Sequence, residues 1–145
     1  MTVFYADASA LARAYLADEP DHDELRSLLL KTSQFVVSSE VSRLELASAV
    51  HAAGRAGRRR LWRELARRIE RDFGRGGPVK LLGLTPESVF GAAYELVLDH
   101  GLRALDAIHI AVALEECPAL DDDVVFVTRD VDQAAVARKL GLALA

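Results

Sequence analysis

Four carboxylates stand far apart in this chain, each at the edge of an apolar segment. Asp7 follows Val3-Phe4-Tyr5-Ala6, Glu45 lies within Leu44-Glu45-Leu46-Ala47, Asp106 within Leu105-Asp106-Ala107-Ile108, and Asp130 follows Val127-Thr128-Arg129. A lone carboxylate taken out of water needs a cation, a hydrogen-bond network or a metal as compensation. Brought together by a fold, the four would repel one another and raise some of their pKa values unless a cation neutralised them. No basic residue stands out as their dedicated partner, so the pattern points to a divalent metal site. Hard oxygen ligands suit Mg²⁺ or Mn²⁺ better than zinc. Such an ion activates water and neutralises charge on a scissile phosphate.

Each acid also has a purely structural use. Asp7 and Asp130 are placed to cap helices, and Asp106 falls in a first turn, where the helix dipole favours it. Glu45 shares a helical stripe with Val41, Leu44, Ser48 and Ala52, a stripe expected to face the core. One site nevertheless explains the joint pattern more simply than four separate accidents. Asp132 follows the same strand as Asp130 and is the alternative fourth acid. His109, one turn beyond Asp106, reads as a satisfied histidine beside a carboxylate rather than a direct ligand. His22, His51 and His100 show no metal-ligand spacing and are expected at the surface.

These acids need elements to hold them. Residues 3–6, 35–37, 79–84 and 124–127 read as short buried strands, with a further short strand at 142–144. Helices are expected at Ser9–Asp18, from Pro20 to about Lys31, from Ser39 or Ser42 as cap to about Gly54, and at 58–73 with Leu61, Leu65, Ile69 and Phe73 as its apolar stripe. A further helix follows Thr85 as cap and ends at Gly101, and a nearly all-apolar one spans Ala104–Glu115. The last covers roughly 131–140. Asp121-Asp122-Asp123 reads as a solvated loop. Alternation of continuous apolar strands with helices predicts an α/β sandwich with a mainly parallel sheet of four or five strands. Ligands of such sheets sit beyond the carboxyl ends of the strands. Asp7 and Asp130, just past two of those ends, are expected on one rim.

With 145 residues, 51% of them hydrophobic, the chain is expected to form one domain, 1–145, with a proper core. The single cysteine, Cys117, rules out an internal disulfide and a cysteine-based zinc site and reads as a small buried hydrophobe. No leader pattern and no apolar run of membrane-spanning length is seen, so a soluble, cytoplasmic protein without membrane association is expected. The net charge of −4 hides an asymmetry: residues 55–75 hold nine arginines against Glu64, Glu70 and Asp72, a charge of +6 that leaves −10 elsewhere. These arginines form a solvated helical face, with RNA contact by several of them as the minority alternative. No Gly-x-Gly-x-x-Gly follows the first strand, which argues against dinucleotide binding. The third strand carries no acid suited to a phospho-accepting receiver domain.

The motifs together resemble those of PIN-domain ribonucleases, specifically the VapC-type toxins of bacterial toxin–antitoxin pairs. Tyr5-Ala6-Asp7-Ala8-Ser9-Ala10-Leu11 looks like the family's strand-end Asp-x-Ser/Thr motif, and Ser42-Arg43-Leu44-Glu45-Leu46 like its helical glutamate segment. Gly101-Leu102-Arg103-Ala104-Leu105-Asp106-Ala107-Ile108-His109-Ile110-Ala111 is close to its most recognisable stretch. Val127-Thr128-Arg129-Asp130 with Ala134-Ala135 and Leu140-Gly141 looks like its closing motif. The resemblance spans the whole chain in order. It implies a PIN-like α/β/α sandwich, with Asp7, Glu45, Asp106 and Asp130 as a catalytic quartet holding Mg²⁺, or Mn²⁺ in its place, for hydrolysis of RNA phosphodiesters. It further implies support from Ser9 and Thr128, homodimerisation, and inhibition by a cognate antitoxin protein. Arg103, three residues before Asp106, reads as steadying the acids or contacting phosphate. The alternative function is a non-catalytic RNA- or partner-binding PIN module with a structural metal ion. The RNA target, the number of ions and the antitoxin are not legible in the sequence.

Overall fold

The structure is a computed structural model describing residues 1–57, 60–117 and 123–145. The elements run β1 (Thr2–Ala6), α1 (Ala8–Tyr15), α2 (His22–Leu30), β2 (Phe35–Ser39), α3 (Glu40–Arg55), α4 (Trp62–Asp72), β3 (Val79–Leu82), α5 (Pro86–His100), α6 (Ala104–Glu115), β4 (Asp123–Val127), α7 (Val131–Lys139) and β5 (Ala143–Leu144). The described residues form a five-stranded sheet in the order β3-β2-β1-β4-β5, and every neighbouring pair is parallel. This is the expected α/β/α sandwich.

Both faces of the sheet are buried, which is why the strands read as continuous apolar runs rather than alternating ones. In β1, Val3 and Tyr5 point into a core shared with α5, α6 and α7, while Phe4 and Ala6 point into a second core under α1 to α4. The order of strands reverses at β1: β2 and β3 lie on one side, β4 and β5 on the other. Such a switch point opens a crevice at the carboxyl ends of the two central strands, the usual ligand position in these sheets. Ala6 is in register with Val127, and the Asp7 amide donates to the Val127 carbonyl at 3.1 Å. Asp7 and Thr128 therefore leave the sheet side by side at that crevice.

Some elements differ from expectation. Helix α1 ends at Tyr15 rather than Asp18, because Leu16 turns to extended backbone and buries its side chain. Thr85 stands at the start of α5 without a side-chain cap; instead its amide donates to Glu116 Oε1 at 2.7 Å. Ser39, not Ser42, caps α3. Leu61 precedes α4 and is exposed, so the apolar stripe of that helix starts at Leu65. Trp62 lies over Gly54, where a Cβ would collide with the indole, and meets His51 edge-on. Arg58 and Arg59 of the expected basic helix, and Asp121 and Asp122 of the expected acidic loop, lie outside the described residues. Gly101 ends α5 in the left-handed conformation (φ 66°) that glycine adopts without penalty.

Candidate metal centre

The first turn of each helix that follows β1 and β4 begins with one of the acids. Asp7 caps α1, its Oδ1 accepting from the Ala10 amide at 2.9 Å. Asp130 caps α7, its Oδ1 accepting from the Gln133 amide at 2.8 Å. Capping uses one carboxylate oxygen, so each acid fulfils its structural role and still aims the other oxygen elsewhere. Asp106 enters from the first turn of α6 and Glu45 from the second turn of α3. The four line one cavity of about 260 Å³ together with Ser9, Arg103 and His109. The apolar crevice between α3 and α4, about 330 Å³, contains none of them.

Asp7 is buried to 2% exposure and densely hydrogen-bonded. Ser9 Oγ lies 2.8 and 2.9 Å from its two oxygens, and Thr128 Oγ1 donates to Oδ2 at 2.9 Å. The Thr128 hydroxyl also reaches Gln133 Oε1 at 2.7 Å, and its one proton serves one acceptor at a time. Burial is the main force raising the pKa of Asp7; the Ala10 amide, His109, Ser9 and Thr128 oppose it. Burial also leads in raising Asp106, with repulsion from Asp130 next and the Arg103 guanidinium opposing. Two carboxyls of one cavity thus ionise reluctantly, with burial the leading cause for both.

Glu45 corrects one sequence expectation. Its stripe does not face the core: Leu44 is 70% exposed and Ser48 and Ala52 are exposed, while Ser42, Leu46, Val50 and Ala53 form the buried face. Glu45 sits at the edge of that face, where α3 crosses α6, and His109 Nε2 lies 2.6 Å from its Oε1. His109 is itself buried, with Tyr5 Oη 3.1 Å and Ser42 Oγ 3.4 Å from Nδ1. Tyr5 donating to Nδ1, with Nε2–H donating to Glu45, satisfies both ring nitrogens.

Arg103 corrects another. The acids do have a basic partner: Arg103 Nε donates to Asp106 Oδ2 and its Nη2 to Asp130 Oδ2, both at 3.2 Å. Asp132 faces a neighbouring groove with Asp106 and Arg103 and is absent from the cavity that holds Asp7 and Glu45. Gln133 was not among the expected site residues; it is fully buried, and its Nε2 donates to the Asp106 carbonyl at 3.1 Å, joining α7 to α6. The spacing Asp130-x-x-Gln133 carried a signal, because an acid followed three residues later by Gln marks a helix start. Tyr5 and Ser42 were not anticipated as partners of His109; Tyr5 read as part of a strand and Ser42 as a candidate helix cap.

The donor chemistry, carboxylates backed by hydroxyls, fits Mg²⁺ or Mn²⁺. In the present arrangement, however, no three Asp, Glu, His or Cys among the described residues gather round one point. Asp106 and Asp130 turn to Arg103, Glu45 to His109, and Asp7 to Ser9 and Thr128.

Two arginines of α4, Arg63 and Arg68, have local partners. Arg68 pairs with Asp72 at 3.7 Å and lies over the Tyr15 ring, and Arg63 lies over Trp62. Tyr15 and Phe73 are buried and meet edge-on, and Tyr15 Oη donates to Asp72 at 2.9 Å, so both serve the core. Cys117 is buried, and burial pushes its thiol up to about 12. Among the described residues, no helix is long and apolar enough to cross a membrane.

The sequence model of the family described as PIN domain matches residues 4–139. No curated protein matches the chain. Among solved structures, the chain is similar to the crystal structure of Mycobacterium tuberculosis VapC20, described as a sarcin-ricin loop cleaving toxin. The TM-score is 0.64 at 18% identity, covering 92% of this chain and 94% of that one.

Proposed function

Because this chain belongs to the PIN-domain family, we propose that it is a metal-dependent endoribonuclease and the toxin of a type II toxin–antitoxin pair, formed by one PIN domain over 1–145. The observation that carries the proposal is the meeting of Asp7, Glu45, Asp106 and Asp130 at one cavity on the switch point of the sheet. The toxin assignment draws on the likeness to VapC20 and on the motif at 101–111.

Asp7, Asp106, Asp130 and Glu45 would hold the cation, with Asp130 preferred to Asp132 because only Asp130 shares the cavity with Asp7. When bound, Mg²⁺ or Mn²⁺ supplies charge neutralisation at the phosphate and a more acidic water. The protein's own part is to hold these oxygens in place. Ser9 and Thr128 fix the Asp7 carboxylate, His109 fixes Glu45, and Gln133 ties the start of α6 to α7. Hydrolysis joins the water oxygen to phosphorus and breaks one bond from phosphorus to a ribose oxygen, which leaves with a proton.

RNA is the proposed substrate, a small antitoxin protein the inhibitor, and the cytoplasm the location. A homodimer is supported by Phe90, Tyr94 and Leu98, one turn apart on α5 and each more than half exposed. The test is cleavage of a defined RNA by purified protein in EDTA, then with Mg²⁺ or Mn²⁺ restored. Cleavage only with the ion is expected. A rise in melting temperature with the ion but no turnover would favour a non-catalytic module with a structural metal.

A further inference from the structure

Arg103 places a guanidinium against the acids although its side chain is 80% exposed. Packing does not hold it there. Charge does: Nε and Nη2 each reach a carboxylate oxygen at 3.2 Å, one on Asp106 and one on Asp130. The Asp130 oxygen it takes is the one left free by the cap of α7. Its backbone is fixed at the start of α6, directly after the turn at Gly101 and Leu102, so only the side chain needs to move. Room for that movement exists, because Arg103 also borders a groove of about 520 Å³ lined by His100, Leu102, Asp132 and Val136.

We propose that Arg103 is an internal competitor of the divalent cation: it bridges Asp106 and Asp130 in the metal-free protein and gives them up when the cation binds. The proposal rests on the reading of the acids as a metal centre. Removing Arg103 acts on metal affinity in two ways of the same sign. No ion pairs need be broken on loading, and the metal-free acids repel each other more strongly. A conservative lysine has a compact charge without the planar fork, so it bridges the two carboxylates less well.

The test is calorimetric titration of metal-free protein with MnCl₂, without RNA, for wild type, Arg103→Ala, Arg103→Lys and Asp106→Asn. Arg103→Ala should bind Mn²⁺ about twofold to about thirtyfold tighter than wild type, the range spanned by two exposed ion pairs. Arg103→Lys should fall between them, and Asp106→Asn should bind weaker than wild type. Equal or weaker binding by Arg103→Ala, with Asp106→Asn still weakened, overturns the competitor role and leaves the metal centre standing. Binding insensitive to Asp106→Asn, or absent from every variant, overturns the metal centre and the competitor with it. Circular dichroism confirms that each variant is folded; Arg103 is exposed enough for substitution to leave the core untouched.

Discussion

Asp7 carries the sharpest conflict between stability and chemistry. It is buried, it caps a helix, and its pKa is raised from 3.8 chiefly by burial. A folded-state pKa above the unfolded one means that the folded protein binds the extra proton. The associated stability is fully present below the unfolded value and is lost as pH rises through the folded one. Above its folded pKa the ionised Asp7 is therefore a burden on the metal-free fold. Asn keeps the capping oxygen and removes the charge. Metal-free Asp7→Asn should thus be at least as stable as wild type at pH 8 by urea unfolding, and its advantage should shrink as pH falls. An advantage that instead grew on acidification would contradict the assigned cause. Saturating Mn²⁺ should abolish the advantage by stabilising wild type alone. The four acids were legible in the sequence because each interrupts an apolar run. Arg103 was expected to steady the acids or contact phosphate, but its pairing with Asp130 was not legible: Asp130 is distant along the chain, and only the packing of α6 beside α7 brings the pair together.

Helices and strands were easier to read than their ends. Helix α6 spans Ala104–Glu115 as expected, because an apolar segment bounded by Gly101 and the polar pair at 115–116 leaves little choice. The facing of α3 was misjudged: residues 41, 44, 48 and 52 and residues 42, 46, 50 and 53 both satisfy helical spacing, and only the second set meets the sheet. The turn from α4 to β3 gives an element-level prediction. A Cβ on Gly77 would collide with the Asp72 carbonyl, whereas Gly83 faces open space. Gly77→Ala should cost about 1–3 kcal/mol in denaturant unfolding, and Gly83→Ala should stay within about 0.5 kcal/mol of wild type. Similar values for the two would show that the close approach at Gly77 is not a constraint.

The parallel sheet sets the whole arrangement. Continuous apolar strands announced burial on both faces, but the strand order, and with it the crevice between β1 and β4, depends on long-range pairing that no local pattern encodes. The exposed face of α5 was equally invisible, since its apolar residues could as well have filled the core. If that face joins two copies, Tyr94→Glu should convert a dimer to a monomer in sedimentation velocity while the melting temperature stays within a few degrees. An unchanged dimer would place the contact elsewhere.

The acids are tested most directly by cleavage of a defined RNA in Mn²⁺ by wild type, Asp7→Asn, Asp106→Asn and Asp132→Asn, each purified alike. Loss of at least about 100-fold in rate is expected for Asp7→Asn and Asp106→Asn, with Asp132→Asn close to wild type. Equal cleavage by wild type and Asp7→Asn would assign the activity to a contaminant and contradict the proposed metal centre.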